Sequence, residues 1–200
     1  TGALSGGEAL GAFALMMLAA FGLVLLTNRL TILLSIVGVL LAASYPYLKR
    51  HTYFPQVYLG IAFGWGIPMA FAAVQNRIPQ NAWLLFLANV LWTTAYDTWY
   101  AMVDREDDLK AGAKSLAIFL GDMDFPALAL LFSGFLFSLV LLGRNHRFGL
   151  PYYICLALAA CVILWQFKTA RLRHREDCFS AFLSNQWVGL LVFAGIALAL

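Results

Sequence analysis

The sequence predicts an all-α fold, a bundle of helices crossing a lipid bilayer several times, and three observations carry that prediction. Hydrophobic residues make up 62% of the 200-residue chain and charged residues only 12%, with a mean hydropathy of +0.81. A water-soluble fold could not cover so much apolar surface. The apolar residues also gather into runs close to the ~20 residues that a helix needs to cross roughly 30 Å of hydrocarbon. Finally, the runs lack the two-residue alternation of a membrane β-barrel, and lipid leaves the backbone no other partner than itself, so helices remain.

Seven runs follow in order. Glu8–Leu26 ends at Thr27-Asn28-Arg29, and Leu30–Leu48 is held between Arg29 and the Lys49-Arg50 pair. Gln56–Val74 follows Pro55 and stops at Gln75-Asn76-Arg77. Within it, the Gly64-Trp65-Gly66-Ile67-Pro68 stretch predicts a kink at which neighbouring groups satisfy the freed backbone. Asn81–Val103 begins after Pro79 and runs into Asp104. Ala127–Gly143 lies between Pro126 and Arg144, Leu150–Phe167 stops at Lys168, and Asn185–Leu200 is the last. Together they make one transmembrane domain over residues 1–200.

Net charge is only +3, but the basic residues are unevenly shared between the two sides. The loops after Leu48, Val103 and Phe167 hold Lys49, Arg50, Arg105, Lys110, Lys114, Lys168, Arg171, Arg173 and Arg175. The opposite loops hold Arg29, Arg77, Arg144 and Arg147. Nine against four places the first set in the cytoplasm, with the amino end inside and the carboxyl end outside. The basic patch around His174-Arg175 reads as a loop touching lipid headgroups rather than nucleic acid. Cys155, Cys161 and Cys178 have neither metal-site nor disulfide spacing and read as packing residues.

Chemistry concentrates in Tyr96–Ser115. Asp97, Asp104, Glu106, Asp107 and Asp108 are five of the chain's ten acids. If the fourth run continues as a helix beyond Val103, positions 97, 104 and 108 fall within roughly 40° of one another at about 100° per residue, so three carboxylates share a face. Asp97 lies inside the apolar run, where an ionisable group is costly and points to function. Acids so grouped repel one another unless a cation is present. Hard oxygen donors suit Mg²⁺, which is commonly shared between one or two carboxylates and substrate phosphates. Lys110 and Lys114 in the same segment, and Lys49-Arg50-His51 on the same side, supply cations for a phosphorylated substrate.

The segment resembles the second aspartate-rich motif of the UbiA family of intramembrane prenyltransferases, Tyr-Asp-x-x-Tyr-Ala-x-x-Asp-x-x-Asp-Asp followed by Gly-x-Lys-Ser. Tyr96, Asp97, Tyr100, Ala101, Asp104, Asp107, Asp108, Gly112, Lys114 and Ser115 match it. Tyr45-Pro46 with Lys49-Arg50, Pro55-Gln56, Gly64-Trp65 and Ile67-Pro68-Met69-Ala70 resemble, more narrowly, the 4-hydroxybenzoate polyprenyltransferase branch. The resemblance runs over essentially the whole chain. It implies a fold of nine spans around a cavity open to lipid, of which these seven would be the carboxyl-terminal ones. The family's first motif, Asn-Asp-x-x-Asp-x-x-x-Asp, is not found in this sequence, so the resemblance also implies an amino-terminally truncated domain, inactive alone.

The implied reaction is the magnesium-dependent transfer of a polyprenyl group from a polyprenyl diphosphate to the ring of 4-hydroxybenzoate, in ubiquinone synthesis at a bacterial or mitochondrial inner membrane. Carried over residue by residue, Asp104 and Asp108 become the Mg²⁺ ligands, with Asp97 a ligand through water or an orienting group. Arg50 matches a position near the substrates and is set to grip either the diphosphate or the benzoate carboxylate, while Lys49, Tyr100 and Lys114 contribute to substrate binding. Other acceptors, as in menaquinone or haem O synthesis, are the nearest alternative. A cation-coupled transporter built on Asp97 and the broken Gly64–Pro68 helix is the alternative of a different class.

Overall fold

A computed structural model describes residues 5–200, including every side chain among them except that of Lys49. The elements are α1 (Gly6–Leu25), α2 (Arg29–Ser44), a short α3 (Leu48–His51), α4 (Pro55–Gly64), α5 (Gly66–Gln75), α6 (Gln80–Val103), α7 (Arg105–Ala111), α8 (Leu116–Leu120), α9 (Asp124–His146), α10 (Leu150–Thr169) and α11 (Arg175–Ala197). No strand occurs among the described residues. The third run is divided at Trp65 into α4 and α5, the break expected at Gly64–Pro68. Its indole Nε1 donates to Leu34 O at 2.9 Å, tying the break to α2.

Among the described residues six stretches are long and apolar enough to cross a membrane: Gly6–Leu25, Arg29–Tyr47, Pro55–Gln75, Leu116–His146, Leu150–Leu172 and Arg175–Ala197. The remaining long helix, α6, has 24 residues, about 36 Å at the usual rise. It falls short of that apolarity and lies inside the bundle, packed on α4, α9 and α11. Its buried Thr94 and Thr98 return their hydroxyls to Val90 O and Thr94 O at 2.7 and 2.6 Å, so neither costs an unmet hydrogen bond. Ala82, Ala88, Ala95 and Ala101 bring its neighbours close, as small residues do between membrane helices. A Cβ on Gly60 of α4 would stand 2.9 Å from Val90 O, and one on Gly189 of α11 would stand 2.8 Å from the Trp92 ring.

Helix ends depart from the sequence reading in two places. The last helix begins at Arg175 rather than near Asn185, because Glu176 and Asp177 in its first turn complement the helix dipole instead of marking a loop. The continuation of α6 beyond Val103 is bent at Asp104, though Asp104 N still donates to Tyr100 O (3.2 Å) and Asp108 N to Asp104 O (2.8 Å). The connections sort to two ends. Asn28 reaches Ala72 O (2.6 Å) and Asn81 meets His146 (2.9 Å) at one, while Lys114 meets His51 O (3.5 Å) and Arg105 and Arg173 meet Asp124 at the other. The second end carries the loops with the nine basic residues.

Candidate active site

At the basic end, Asp104 stands at the bend between α6 and α7, and Asp108 follows one turn later. Asp104 is 24% exposed, and Asp108 Oδ2 is turned away from solvent. Asp97 lies two turns back on α6, half-buried, within electrostatic reach of Tyr45 and Tyr96. The Tyr45-Pro46 segment and the aspartate segment therefore do face one another. Asp107, more exposed, takes Arg175 Nη2 at 3.0 Å, and the same nitrogen lies 3.9 Å from Asp104 Oδ1.

Gly112 explains why the motif needs a glycine there. It ends α7 at φ +67°, a left-handed turn that a Cβ disfavours, and its N–H donates back to the end of α7. The turn delivers Lys114 to the α3 segment, where Nζ donates to His51 O at 3.5 Å and lies 5.3 Å from the Tyr53 ring centre. Ser115, fully buried, caps α8 by accepting from Ile118 N at 3.4 Å. Buried Gln56, after Pro55 at the start of α4, accepts from Leu116 N at 3.0 Å. Gly112, Ser115 and Gln56 thus shape the site without touching its centre. Arg50 is exposed on α3, on the same end as the acids; the Lys49 side chain lies outside the described residues.

Below the acids runs a lane of aromatic rings. Tyr100, one turn before Asp104, packs on Phe182 (5.1 Å between ring centres) and Phe179 (6.5 Å), and Tyr96 joins Phe182 (6.0 Å) to Trp92 (5.3 Å). Phe63, Trp92, Tyr96 and Phe182 line a cavity of about 320 Å³, with Asn185 and Gln186. Trp92 separates it from a second, almost wholly apolar one of about 210 Å³ between α6, α9 and α11. Trp92 Nε1 donates to Asn185 Oδ1 at 3.0 Å, and its ring stacks on Phe135, 5.8 Å between centres.

Sequence reasoning missed Asp124. It is fully buried at the start of α9, where Arg105 Nη2 and Arg173 Nη2 each reach it at 2.7 Å, Arg173 Nε at 3.1 Å, and its own Oδ1 accepts from Phe125 N at 2.7 Å. Hydrogen bonding to Asp124 raises the Arg173 guanidinium above its ordinary pKa. Arg105, Arg173 and Arg175 were legible only as orientation charges; an acid at the margin of an apolar run was the signal available for Asp124.

Over residues 1–191 the sequence matches the UbiA prenyltransferase family. The chain belongs to that family. It is 59% identical over 199 residues to the 4-hydroxybenzoate octaprenyltransferase of Xanthomonas euvesicatoria pv. vesicatoria (strain 85-10), covering 100% of this chain and 66% of that protein. It is 58% identical to the protein of that name from Xylella fastidiosa (strain 9a5c), covering 100% and 67%. The chain thus spans about two thirds of the length of the curated relatives it matches. Among solved structures it superimposes on the apo structure of a UbiA homolog from Aeropyrum pernix K1 with a TM-score of 0.83 at 26% identity, covering 98% of this chain and 74% of that one. A digeranylgeranylglyceryl phosphate synthase shares the fold, with a TM-score of 0.76 at 19% identity over 100% of this chain and 71% of that one. An integral membrane prenyltransferase family and a lipid bilayer as solvent agree with the helices described above.

The carboxylate donors of a UbiA site fit a hard cation in kind. Among the described residues no group of three or more His, Cys, Asp or Glu side chains is gathered to hold a metal ion by itself. A metal here would take oxygens from the substrate as well, which is how Mg²⁺ is ordinarily bound.

Proposed function

We propose that the protein, at the full length of its relatives, transfers a polyprenyl group from a polyprenyl diphosphate to the aromatic ring of 4-hydroxybenzoate, in the ubiquinone pathway. One observation carries the reading: carboxylates and cations at one end of the bundle stand directly above a lane of aromatic rings leading into an apolar cavity. The names of relatives 58–59% identical to the chain support the acceptor.

Asp104 and Asp108, with Asp97 behind them, would hold Mg²⁺, which when bound supplies positive charge to the departing diphosphate. Lys114 and Arg50 bring further cations to the same end, and Lys49 is assigned there with them. As the allylic C–O bond breaks, positive charge develops on the prenyl carbon. Tyr100 and Tyr96 then offer ring faces, each worth about 0.5–2 kcal/mol to a nearby cation. The apolar lining keeps water from capturing that carbon before the ring carbon beside the phenolic hydroxyl does. A carbon–carbon bond forms, and loss of the ring proton restores aromaticity. The long isoprenoid tail stays in lipid, and the basic end faces the cytoplasm of a bacterial cell at its inner membrane.

The test is transfer to labelled 4-hydroxybenzoate by the full-length protein in lipid. Product should require Mg²⁺ and vanish in Asp104→Ala and in Asp108→Ala. Robust product from both variants would remove the carboxylates from the mechanism, and no product from folded wild type would remove this acceptor.

A further inference from the structure

The aspartate segment already has a cation resting on it, and that cation comes from a different helix. Arg175 Nη2, at the start of α11, lies 3.0 Å from Asp107 Oδ2 and 3.9 Å from Asp104 Oδ1. Its delivery is rigid. Arg173, two residues earlier, adopts φ +58°, binds the buried Asp124 through Nε and Nη2, donates to Asp122 O at 3.3 Å and lies 4.8 Å from the Phe125 ring centre. Arg105, the residue after Asp104, binds Oδ2 of the same carboxylate at 2.7 Å. One buried carboxylate thus fixes the neighbour of Asp104 on one side and the approach to Arg175 on the other.

The contact that Arg175 makes is, by contrast, weakly held. Its side chain is 61% exposed and that of Asp107 57%, and an ion pair so open to water is readily exchanged for a stronger partner. A rigid mount with a weakly committed guanidinium suits a group that changes partner during binding. Guanidinium prefers phosphate oxygens, which it grips with two parallel hydrogen bonds. We propose that Arg175 is a diphosphate-binding residue, parked on Asp104 and Asp107 in the substrate-free protein and released to the diphosphate when a divalent cation takes the carboxylates. The proposal rests on the prenyl-transfer reading above and adds a binding residue to it. Arg175 would then act beside Lys114, mounted on the α3 segment by His51 and Tyr53.

The experiment measures two affinities of the full-length protein in lipid nanodiscs. Mn²⁺ alone is titrated by electron paramagnetic resonance. A prenyl S-thiolodiphosphate, which resists ionisation, is titrated in saturating Mg²⁺ by tryptophan fluorescence. With a competing positive charge gone and a phosphate grip lost, Arg175→Ala should bind Mn²⁺ about threefold to tenfold more tightly and the thiolodiphosphate about tenfold more weakly. Arg175→Lys should fall between. Opposite signs are the signature, because a loosened fold would weaken both. Both affinities unchanged, both weaker, or a change in one alone would overturn the proposal. Wild type that binds neither ligand would overturn the prenyl-transfer reading as well; wild type that binds both, beside an unaltered Arg175→Ala, would remove only the role of Arg175.

Discussion

Replacing Asp124 with Asn isolates the clamp from the acids it supports. The carboxylate is fully buried, and two arginines reach it at 2.7 Å. An amide of the same shape keeps one accepting oxygen but turns an NH₂ toward a guanidinium. At least two charge-assisted hydrogen bonds are lost, at about 1.5–3 kcal/mol each if wholly buried. The Arg105 and Arg173 side chains are 24% and 38% exposed, so water recovers part of that. A net cost of about 2–3 kcal/mol remains, which for a chain of this size lowers Tm by roughly 5–10 °C. Near-ultraviolet circular dichroism in detergent is a suitable assay, because Trp99 packs edge-on against Phe125, 5.4 Å between centres, beside the clamp. Asp107→Asn, at a 57% exposed side chain, is the control and should leave Tm unmoved. If Asp124→Asn unfolds within about 2 °C of wild type, on the same scale of a few degrees per kcal/mol, the clamp carries no stability and the reasoning fails. Because Arg173 titrates above its ordinary range, its share of the clamp is present throughout neutral pH and is lost only as pH rises through that raised value.

Three further outcomes follow from single contacts. Gly112→Ala forces a left-handed turn on a residue with a Cβ, costing about 1 kcal/mol, and should lower prenyl transfer more than stability because Lys114 loses its aim; equal activity with reduced Tm would separate the turn from the site. Gln56→Ala leaves the buried Leu116 N–H without its acceptor, at about 1–3 kcal/mol, and should open the α7–α8 connection to protease, while Gln56→Glu, which keeps an accepting oxygen, should resist. Tyr100→Leu should reduce kcat about 2- to 30-fold, the rate equivalent of roughly 0.5–2 kcal/mol of lost cation–π attraction, with Tyr100→Phe close to wild type; a Phe variant as slow as Leu would assign the effect to the hydroxyl.

How much was legible depends on which physical signal each feature leaves. The seven long runs and the Trp65 break follow from length, apolarity and the Gly-Pro pattern, and all the runs but the last reappear with bounds within a few residues. The start of α11 was misplaced because Arg175, Glu176 and Asp177 look like a loop when only hydropathy is read, whereas a helix end beside water welcomes early acids. The aspartate segment stood out because charge is rare in this chain. Its partners did not: Arg173 and Arg175 are distant from it in sequence, and a basic residue in such a loop is already accounted for by membrane orientation.

The buried face of each helix was the least legible property, for a reason particular to membranes. In water an amphipathic stripe marks the core, but here both the interior and the lipid are apolar. Leu10, Leu15 and Leu18 of α1 are largely exposed, while Leu128 and Leu139 of α9 are wholly or almost wholly buried, with nothing in residue type to part them. What distinguishes the interior is polarity and smallness: α6 buries three threonines and four alanines, and α11 buries Ser184 and Asn185 facing Gln166 and Trp92. The same rule places Asp97. A carboxylate on the innermost helix, one turn below Tyr100 and two below Asp104, stands where protein rather than lipid surrounds it. That is where an intramembrane ionisable group is affordable and where charge developing on a substrate would meet it.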